Sequence, residues 1–458
     1  MLIRFAVENF MSFRNLTAFS MAAGKITRHG SHVITERGKR ILKGSFLWGA
    51  NASGKSNLIC AVDFAQRIVT EGIKSVNCDK KYFRIEKPYR TKPGVFQFDI
   101  ACGGHFYSYG FALSYLNAAI EEEWLYQTDE NESCIFLRRK TGDGQTIIVD
   151  TDRDFSGDRF RVYAQDIGNP KMAQTLFLSD LALRSPEEDA EYQPFRDVAD
   201  WFRRLVVIFP YSKYARISEL VDSDDPRIRL ASLLRYFDTG IDDILKKKMD
   251  FEKAFSEFPE NVVESLKADI SRGLQEKGGR ALVRNEKSSV EVQNENGELY
   301  AFKLTANHGN ADDLFDYQDE SDGTRRLFDL IPVYQAALDG NVILIDELDR
   351  SLHTRLTQEF IRYFYRLTEK NPSQLIATTQ DSNLMDLDLL RQDEIWFVER
   401  QKDHSSRLYS LNAFKERFDR DVERGYLLGR YGAIPVFRQL LSPEDEDGEE
   451  EEADEQDD

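Results

Sequence analysis

Cysteines are few in this sequence, long apolar runs are absent, and the 61 basic residues are outnumbered by 80 acidic ones. Each of these features excludes a class of protein. The four cysteines are at least 18 residues apart, too far for metal-ligand pairs. A chain of 458 residues can build its own core, so we expect reduced thiols rather than disulfides. No stretch approaches the roughly 18 apolar residues of a membrane helix, and Arg4 and Glu8 interrupt the first apolar stretch. The sequence therefore predicts a cytoplasmic protein without membrane spans.

The acidic charge is concentrated at the C-terminus. The formal net charge is −19, and residues 442–458 hold twelve acidic residues and no basic ones. Without those twelve charges the rest of the chain carries −7. That balance disfavours strong binding to DNA by the chain alone, because such binding needs a basic face. The tail has little apolar surface and is predicted to be disordered, either as a solubility segment or as a docking site for a basic partner.

The chain is longer than one hydrophobic core supports, so two lobes or one domain with a large insertion are expected. Alternating apolar residues predict antiparallel strands before residue 150, and denser charge with helical periodicity follows. Strands and helices then alternate towards the end. We therefore divide the chain into an N-terminal unit over 1–184, a mainly helical insertion over 185–280, a C-terminal α/β unit over 281–441 and the acidic tail over 442–458.

Residues 49–56 read Gly-Ala-Asn-Ala-Ser-Gly-Lys-Ser and fit G-x-x-x-x-G-K-[ST] at every fixed position. An apolar strand ending at Trp48 precedes this loop and a helical pattern follows it, as the motif requires. Backbone amides and the helix N-terminus would attract the phosphates of ATP. Lys55 is predicted to reach the β- and γ-phosphates, and the Ser56 hydroxyl to bind Mg²⁺. The predicted nucleotide-binding residues are Gly49, Asn51, Ala52, Ser53, Gly54, Lys55, Ser56 and Asn57.

A second motif carries two carboxylates at the end of a strand. Four apolar residues, 342–345, are followed by Asp346 and Glu347. A buried parallel strand of this kind places Asp346 at the sheet edge, where it can hold Mg²⁺. Glu347 follows directly and is predicted to be the general base that orients the attacking water.

A third motif lies 25 residues before Asp346, where Ser321 and Gly323 begin a predicted helix. Taken alone, the sequence Ser-Asp-Gly-Thr is a common helix N-cap. In this order and spacing it resembles the signature loop of ABC-type ATPases. The resemblance implies that the loop contacts the γ-phosphate held by a second subunit. The residues that match it are Ser321, Gly323, Thr324 and Arg325.

The same resemblance assigns two later segments. Asp349, Ser351 and His353 occupy the place of the D-loop at the dimer seam, although His353 fits a local helix-start role equally well. Gln380 stands where ABC-type ATPases usually have a histidine that contacts the γ-phosphate. Glutamine cannot carry a positive charge, which predicts slow turnover or a persistent ATP-bound state. The residues assigned to catalysis are Glu347, Lys55 and Gln380.

Lys55 and Asp346 are 291 residues apart. Such splitting resembles the SMC, RecF and OLD-type branch of the ABC ATPases, as do residues 1–10 and 425–435. The likeness is greatest to the RloA and AbiLi ATPases of anti-phage loci. It implies an α/β ABC-ATPase head with a P-loop core and an antiparallel β subdomain, split by a mainly helical insertion. It also implies an ATP-sandwiched homodimer or higher oligomer, and a separately encoded effector such as a TOPRIM-like nuclease. A phage protein would be the trigger.

Several alternatives remain open. Only about 60 residues separate Gln380 from the tail, too few for a fused nuclease domain. The chain can instead be a RecF-like repair ATPase that binds DNA directly, or a scaffold that binds ATP with little turnover. The lysine run at 246–248 is predicted to lie on a solvated helix face, with contact to nucleic acid as the alternative. Gln97 and Gln127 are both candidates for the Q-loop glutamine.

Overall fold

Two large sheets organise the computed structural model of the chain. The structure describes residues 1–140, 147–212, 217–256, 258–277, 280–284, 289–295, 298–414 and 422–435. The predicted acidic tail, 442–458, lies outside the described residues. In chain order the strands are β1 (Leu2–Glu8), β2 (Thr17–Ser20), β3 (Val33–Glu36), β4 (Lys39–Leu42), β5 (Gly44–Trp48), β6 (Gly94–Cys102), β7 (His105–Ser114), β8 (Ala119–Thr128), β9 (Glu132–Lys140), β10 (Ile147–Asp150), β11 (Val206–Ile208), β12 (Asp243–Asp250), β13 (Arg280–Arg284), β14 (Ser289–Glu295), β15 (Glu298–Asn307), β16 (Phe315–Asp316), β17 (Val342–Ile345), β18 (Gln374–Thr378), β19 (Ile395–Arg400) and β20 (Ser406–Ser410).

The helices surround these sheets, and α1 follows β5 directly through the phosphate loop. No described helix is long and apolar enough to cross a membrane. The four cysteines are free in this structure. The helices are α1 (Lys55–Glu71), α2 (Arg159–Ile167), α3 (Phe177–Arg184), α4 (Gln193–Arg204), α5 (Ile217–Val221), α6 (Leu230–Tyr236), α7 (Phe251–Ala254), α8 (Glu260–Lys277), α9 (Asp322–Leu330), α10 (Val333–Leu338), α11 (Thr354–Leu367) and α12 (Val422–Leu427).

The first sheet is antiparallel, with strand order β10-β9-β8-β7-β6-β1-β2. The antiparallel strands predicted before residue 150 lie in it, because their apolar residues alternate and can face one core, whereas the strand that ends at Trp48 belongs to the second sheet. Phe5 of β1 lies opposite Phe98 of β6, and their rings are 4.7 Å apart. Helices α1, α3 and α4 complete this core.

The second sheet has the order β11-β17-β18-β5-β19-β20, and its strands are parallel except for the β19–β20 pair. Strands β5, β17 and β18 are buried throughout, as expected for a parallel sheet covered on both faces. Alternate side chains point to opposite faces, so Leu344 belongs to the core of the antiparallel sheet and Ile345 to a second core. This arrangement confirms the predicted α/β fold class with an antiparallel subdomain.

The segment predicted as a mainly helical insertion contains helices, but it also supplies strands to two sheets. Strand β11 joins the second sheet, hereafter the central sheet, beside β17. Part of this sheet therefore lies within 185–280. Strand β12 starts a third sheet, β12-β15-β14-β13, with β16 paired to β15. Helical texture also begins earlier than residue 185, at α2 and α3.

The lysine run at 246–248 lies in β12, so the predicted helix face is wrong. Strand β12 pairs with β15 along its whole length, including the lysine run. Lys246 forms ion pairs with Asp222 and Glu291, and the Lys248 ammonium lies 3.7 Å from the centroid of the Tyr300 ring. Strand pairing and these contacts override the helical pattern of the flanking sequence.

Candidate nucleotide site

The candidate site lies at the carboxyl ends of β5, β17 and β18, where α1 begins. The loop from Gly49 to Gly54 turns sharply, with φ of 59° at Ala52 and 108° at Gly54. Two of its glycines have no space for a side chain. A Cβ at Gly49 would lie 2.2 Å from the Val398 carbonyl oxygen, and one at Gly54 would lie 2.1 Å from Ser406 Oγ. The loop backbone can therefore pack this closely only with glycine at these positions.

Lys55 places its ammonium inside the curve of this loop. Its Nζ donates hydrogen bonds to the carbonyl oxygens of Gly49 at 2.6 Å and Ala50 at 3.2 Å. Burial lowers the pKa of Lys55, and the negative charges of Asp346, Asp349 and Glu347 oppose that effect. The first turn of α1 carries no acidic residue. The ammonium and the helix N-terminus together form a cradle suited to a polyphosphate.

Ser56 and Asp346 come together although they are far apart in the sequence. Ser56 Oγ donates to Asp346 Oδ1 at 3.1 Å, and Thr378 Oγ1 donates to the same oxygen at 2.6 Å. The Asp346 amide is bonded to the carbonyl oxygen of Ile208 at 2.8 Å, which fixes the end of β17. A hydroxyl and a carboxylate are the oxygen ligands that Mg²⁺ prefers, so these residues fit the predicted metal.

Glu347 leaves the strand in a left-handed conformation, with φ of 51°. Its amide donates to Thr378 Oγ1 at 2.8 Å, and its carbonyl oxygen accepts from Arg326 Nη2 at 3.1 Å. The Glu347 carboxylate is half-buried and lies 3.6 Å from Arg350 Nη1. The predicted base thus sits directly beside the predicted Mg²⁺ ligand, with its backbone held on both sides.

The signature residues begin α9, as predicted, and their contacts are with one another. Ser321 is the N-cap: its Oγ accepts from the Thr324 amide at 3.1 Å and lies 2.9 Å from Thr324 Oγ1. Arg325 bonds to Asp322. Ser321 and Asp322 are exposed, so this helix start faces solvent in the single chain. A Cβ at Gly323 would lie 3.0 Å from the carbonyl oxygen of Ser351.

The D-loop and switch positions are joined by one contact. Asp349 Oδ2 accepts from the backbone amide of Gln380 at 3.1 Å, and the Gln380 side chain is exposed. Ser351 is left-handed, with φ of 60°. His353 is the N-cap of α11, where its ring accepts from the Arg355 amide at 3.2 Å. Of the two roles predicted for His353, the single chain shows the local one.

Two serines near the phosphate loop were not predicted from the sequence. Ser12 Oγ accepts from Asn57 Nδ2 at 2.7 Å, and Ser406 Oγ lies 2.7 Å from Ser12 Oγ. Ser406 also donates to the carbonyl oxygen of Ser53 at 2.5 Å. No local motif marks these serines, because 394 residues separate them in the sequence.

The two Q-loop candidates lie in the antiparallel sheet with partners of their own. Gln97 bonds to Asp99 and Ser108. Gln127 bonds to Asp129 and lies in hydrogen-bonding distance of the ring of His105. Neither contact links a glutamine to the phosphate loop.

A family model described as "AAA domain, putative AbiEii toxin, Type IV TA system" matches residues 45–386. The chain belongs to this family. The match includes the phosphate loop, α9, the Asp-Glu strand β17 and strand β18 with Thr378. Membership confirms the recognition of an ATPase and places the chain among ATP-binding ATPases.

No curated protein matches the chain. Solved structures similar to it include the SMC head bound to the C-winged helix domain of ScpA, at 17% identity and a TM-score of 0.39, with 89% of this chain and 97% of that chain covered. The SMC head domain from Thermotoga maritima is 11% identical with a TM-score of 0.35, covering 89% and 98%. An SMC head with an extended coiled coil, bound to the C-terminal domain of ScpA derived from Pyrococcus furiosus, is 15% identical with a TM-score of 0.38, covering 94% and 98%.

Proposed function

We propose that the chain binds ATP with Mg²⁺ and hydrolyses it slowly, that two copies close around the nucleotide, and that the pair controls a separately encoded effector in anti-phage defence. The observation that carries the proposal is the meeting of Ser56, Asp346 and Glu347 beside the phosphate loop. A hydroxyl, a carboxylate and an adjacent second carboxylate are the groups that phosphoryl transfer to water requires.

The residues have separate tasks in hydrolysis. When ATP binds, Lys55 donates hydrogen bonds to phosphate oxygens instead of to the loop carbonyl oxygens, so the phosphates occupy the loop. Ser56 and Asp346 would hold Mg²⁺, which would neutralise charge on the phosphates. Glu347 accepts the proton of the attacking water. Gln380 hydrogen-bonds a phosphate oxygen or that water without adding positive charge, which keeps turnover slow.

The position of α9 supports the proposed dimerisation. Its N-terminus carries Ser321 and Gly323, is exposed, and makes its capping bonds within its own first turn. A second copy can therefore present its bound nucleotide to this helix start, whose partial positive charge attracts phosphate. This supports a composite site, with the phosphate loop of one chain facing the signature of the other.

The effector is proposed to be a separate protein. The family description names a type IV toxin–antitoxin system, and two similar structures are of SMC heads with a bound partner protein. Among the described residues there is no cluster of His, Cys, Asp and Glu that could hold a metal. A TOPRIM-like nuclease of the kind associated with RloA and AbiLi ATPases, released by a phage trigger, fits these observations. The identity of the neighbouring gene is a direct check.

The test of the catalytic proposal is Glu347→Gln. The variant loses the base but keeps the shape of the site, so we expect ATP hydrolysis to fall about 100-fold with ATP binding retained. Steady-state phosphate release and nucleotide affinity measure the two effects. Glu187→Gln changes an exposed glutamate on the surface and serves as the matched control. Unchanged phosphate release in Glu347→Gln would remove Glu347 from the mechanism.

A second candidate, direct DNA binding, is favoured by one surface. Arg84, Lys87, Arg90 and Lys92 are all exposed on the segment before β6, in a chain that is acidic as a whole. The amide of Met11, next to Ser12, bonds to the carbonyl oxygen of Lys81 at 2.6 Å, so the chain just before Arg84 lies close to Ser12.

Duplex DNA binding over a range of salt concentrations tests this candidate. If it holds, affinity falls steeply with salt, and the combined variant Arg84→Glu, Lys87→Glu and Arg90→Glu loses binding. Lys171→Glu, at another exposed lysine, should bind as the wild type does. A wild-type chain that shows no salt-sensitive binding with or without ATP would eliminate the repair function.

A further inference from the structure

One arginine of α9 is buried with too few partners. Arg326 is 4% exposed, and only its Nη2 has a bond, to the Glu347 carbonyl oxygen at 3.1 Å. Its Nε and Nη1 atoms are buried without a hydrogen-bond partner. Burial lowers the pKa of Arg326, and the charge of Asp329 one turn further along α9 opposes this. A buried guanidinium with unmade hydrogen bonds lowers the stability of the fold. An arginine at this position therefore needs a role that an apolar residue could not fill.

The segment that Arg326 contacts is a loop with two left-handed residues. Glu347 has φ of 51° and Ser351 has φ of 60°, at the two ends of the turn after β17. Neither residue is a glycine, so this conformation depends on the surrounding contacts. Helix α9 approaches this loop at two places. Arg326 donates a hydrogen bond to the Glu347 carbonyl oxygen, and Gly323, one turn earlier, lies so close that a Cβ there would be 3.0 Å from the Ser351 carbonyl oxygen.

We infer that Arg326 is a positioning residue that couples α9 to Glu347, so that a shift of α9 moves the carboxylate of the base. The inference rests on the proposed function, in which the exposed start of α9 contacts the nucleotide of the partner copy. Nucleotide bound by one chain then sets the position of the base in the other chain's own site. A helix that contacts the loop at two points one turn apart transmits such a shift as a rigid body.

The kinetic test compares Arg326→Met, Arg326→Lys and the control Arg362→Met, the last at an exposed arginine of α11. We expect Arg326→Met to lower kcat about tenfold with KM for ATP within about twofold, because ATP still binds but Glu347 is misplaced. Arg326→Lys should recover most of kcat, since an ammonium can still donate to the Glu347 carbonyl. Wild-type kcat in Arg326→Met, or a lysine variant as slow as the methionine variant, would overturn the inference.

A double-mutant cycle with Ser321→Ala tests the relay itself. If the signature contact acts on Glu347 through Arg326, adding Arg326→Met to Ser321→Ala slows turnover by much less than it slows the wild type. If the double variant is slowed by the product of the two single-variant factors, the two contacts act independently and the relay is refuted. Melting temperatures and ATP affinities of the single variants separate misfolding from lost coupling.

The Glu347→Gln variant distinguishes this inference from the proposed function. If Glu347→Gln hydrolyses ATP normally, the proposed function is wrong in assigning Glu347 as the general base. If Glu347→Gln is inactive and Arg326→Met turns over like the wild type, hydrolysis by Glu347 stands and only the coupling through Arg326 is wrong.

Discussion

Side chains from the N-terminal and C-terminal parts of the chain pack against the phosphate loop at Gly54. Ser12 and Ser406 lie within hydrogen-bonding distance of each other and close to the space that a Gly54 side chain would occupy. Gly54 also has φ of 108°, which side-chain-bearing residues rarely adopt. The loop conformation therefore depends on contacts that the loop sequence does not contain.

Gly54→Ala separates this crowding from ordinary backbone strain. We expect the variant to lose ATP affinity at least about tenfold, because the Cβ must push Ser406 or the loop out of place. Gly38→Ala is the matched control, since Gly38 has φ of 81° but no atom within 4 Å of the position that a Cβ would take. Both variants should lose about 1–3 kcal/mol of stability from strain. Equal ATP affinity in the two variants, measured by calorimetry, would contradict the crowding argument.

At this scale the sequence predicts the residues that belong to continuous motifs. Lys55, Ser56, Asp346 and Glu347 lie where their motifs placed them, because each motif is fixed by its own strand and turn. Thr378, which holds both Asp346 and the amide of Glu347, carries no motif of its own. Only the pairing of β17 with β18 brings it there, and a single sequence does not state that pairing.

At the scale of elements, length and periodicity decided what could be foreseen. Strand β17 was predicted closely, because an unbroken apolar run is a strong signal. Strand β11 has three residues, and it follows directly after α4. So short a run gives no periodicity to read, and its place in the central sheet comes from packing beside β17.

Lys43 joins two elements, and its charge makes that junction depend on pH. Its side chain is buried, and Nζ donates to the carbonyl oxygens of Thr368 at 2.5 Å and Glu369 at 2.8 Å, at the end of α11. Burial lowers the pKa of Lys43 from 10.5 to about 8. Between these values the unfolded chain binds the proton and the folded chain does not. Stability contributed by this group therefore rises with pH from about 8 towards 10.5.

We expect the unfolding free energy of the wild type to increase over that interval relative to Lys43→Met, which has no proton to release. Denaturant titrations at several pH values between about 7 and about 10 measure the difference. Lys370→Met alters an exposed lysine nearby and should show no such trend. A difference between wild type and Lys43→Met that stays constant with pH would show that the lysine keeps its ordinary pKa.

At the scale of the whole molecule, the central sheet lies between two hydrophobic cores. Leu344 and Ile376 face the core of the antiparallel sheet, while Ile343 and Ile345 face the second core. The nucleotide site lies at the edge of this shared sheet and therefore contacts elements from both lobes. The sequence predicted an N-terminal unit, an insertion and a C-terminal unit, but the central sheet takes β5 from the first, β11 from the second and its other strands from the third.

The proposed dimer gives a prediction at this scale. Glu347→Gln with ATP and Mg²⁺ should have twice the mass of a single chain by light scattering, because nucleotide is bound but not hydrolysed. Lys55→Ala should stay a single chain under the same conditions, since it lacks the phosphate contact. A Glu347→Gln chain that is saturated with ATP and yet remains single would contradict the sandwich arrangement.

The neighbours of β5 have a consequence for how the protein is made. Strand β5 ends at Trp48, yet its two partners in the sheet are β18 and β19, which end at Thr378 and Arg400. During synthesis this fully buried strand leaves the ribosome long before either partner exists, and at about 5–20 residues per second the wait is roughly 20–70 s. Until then the phosphate loop has no framework to hold it. A nascent chain that ends before β18 therefore lacks the sheet neighbours of β5, and the apolar residues of this strand stay exposed to water.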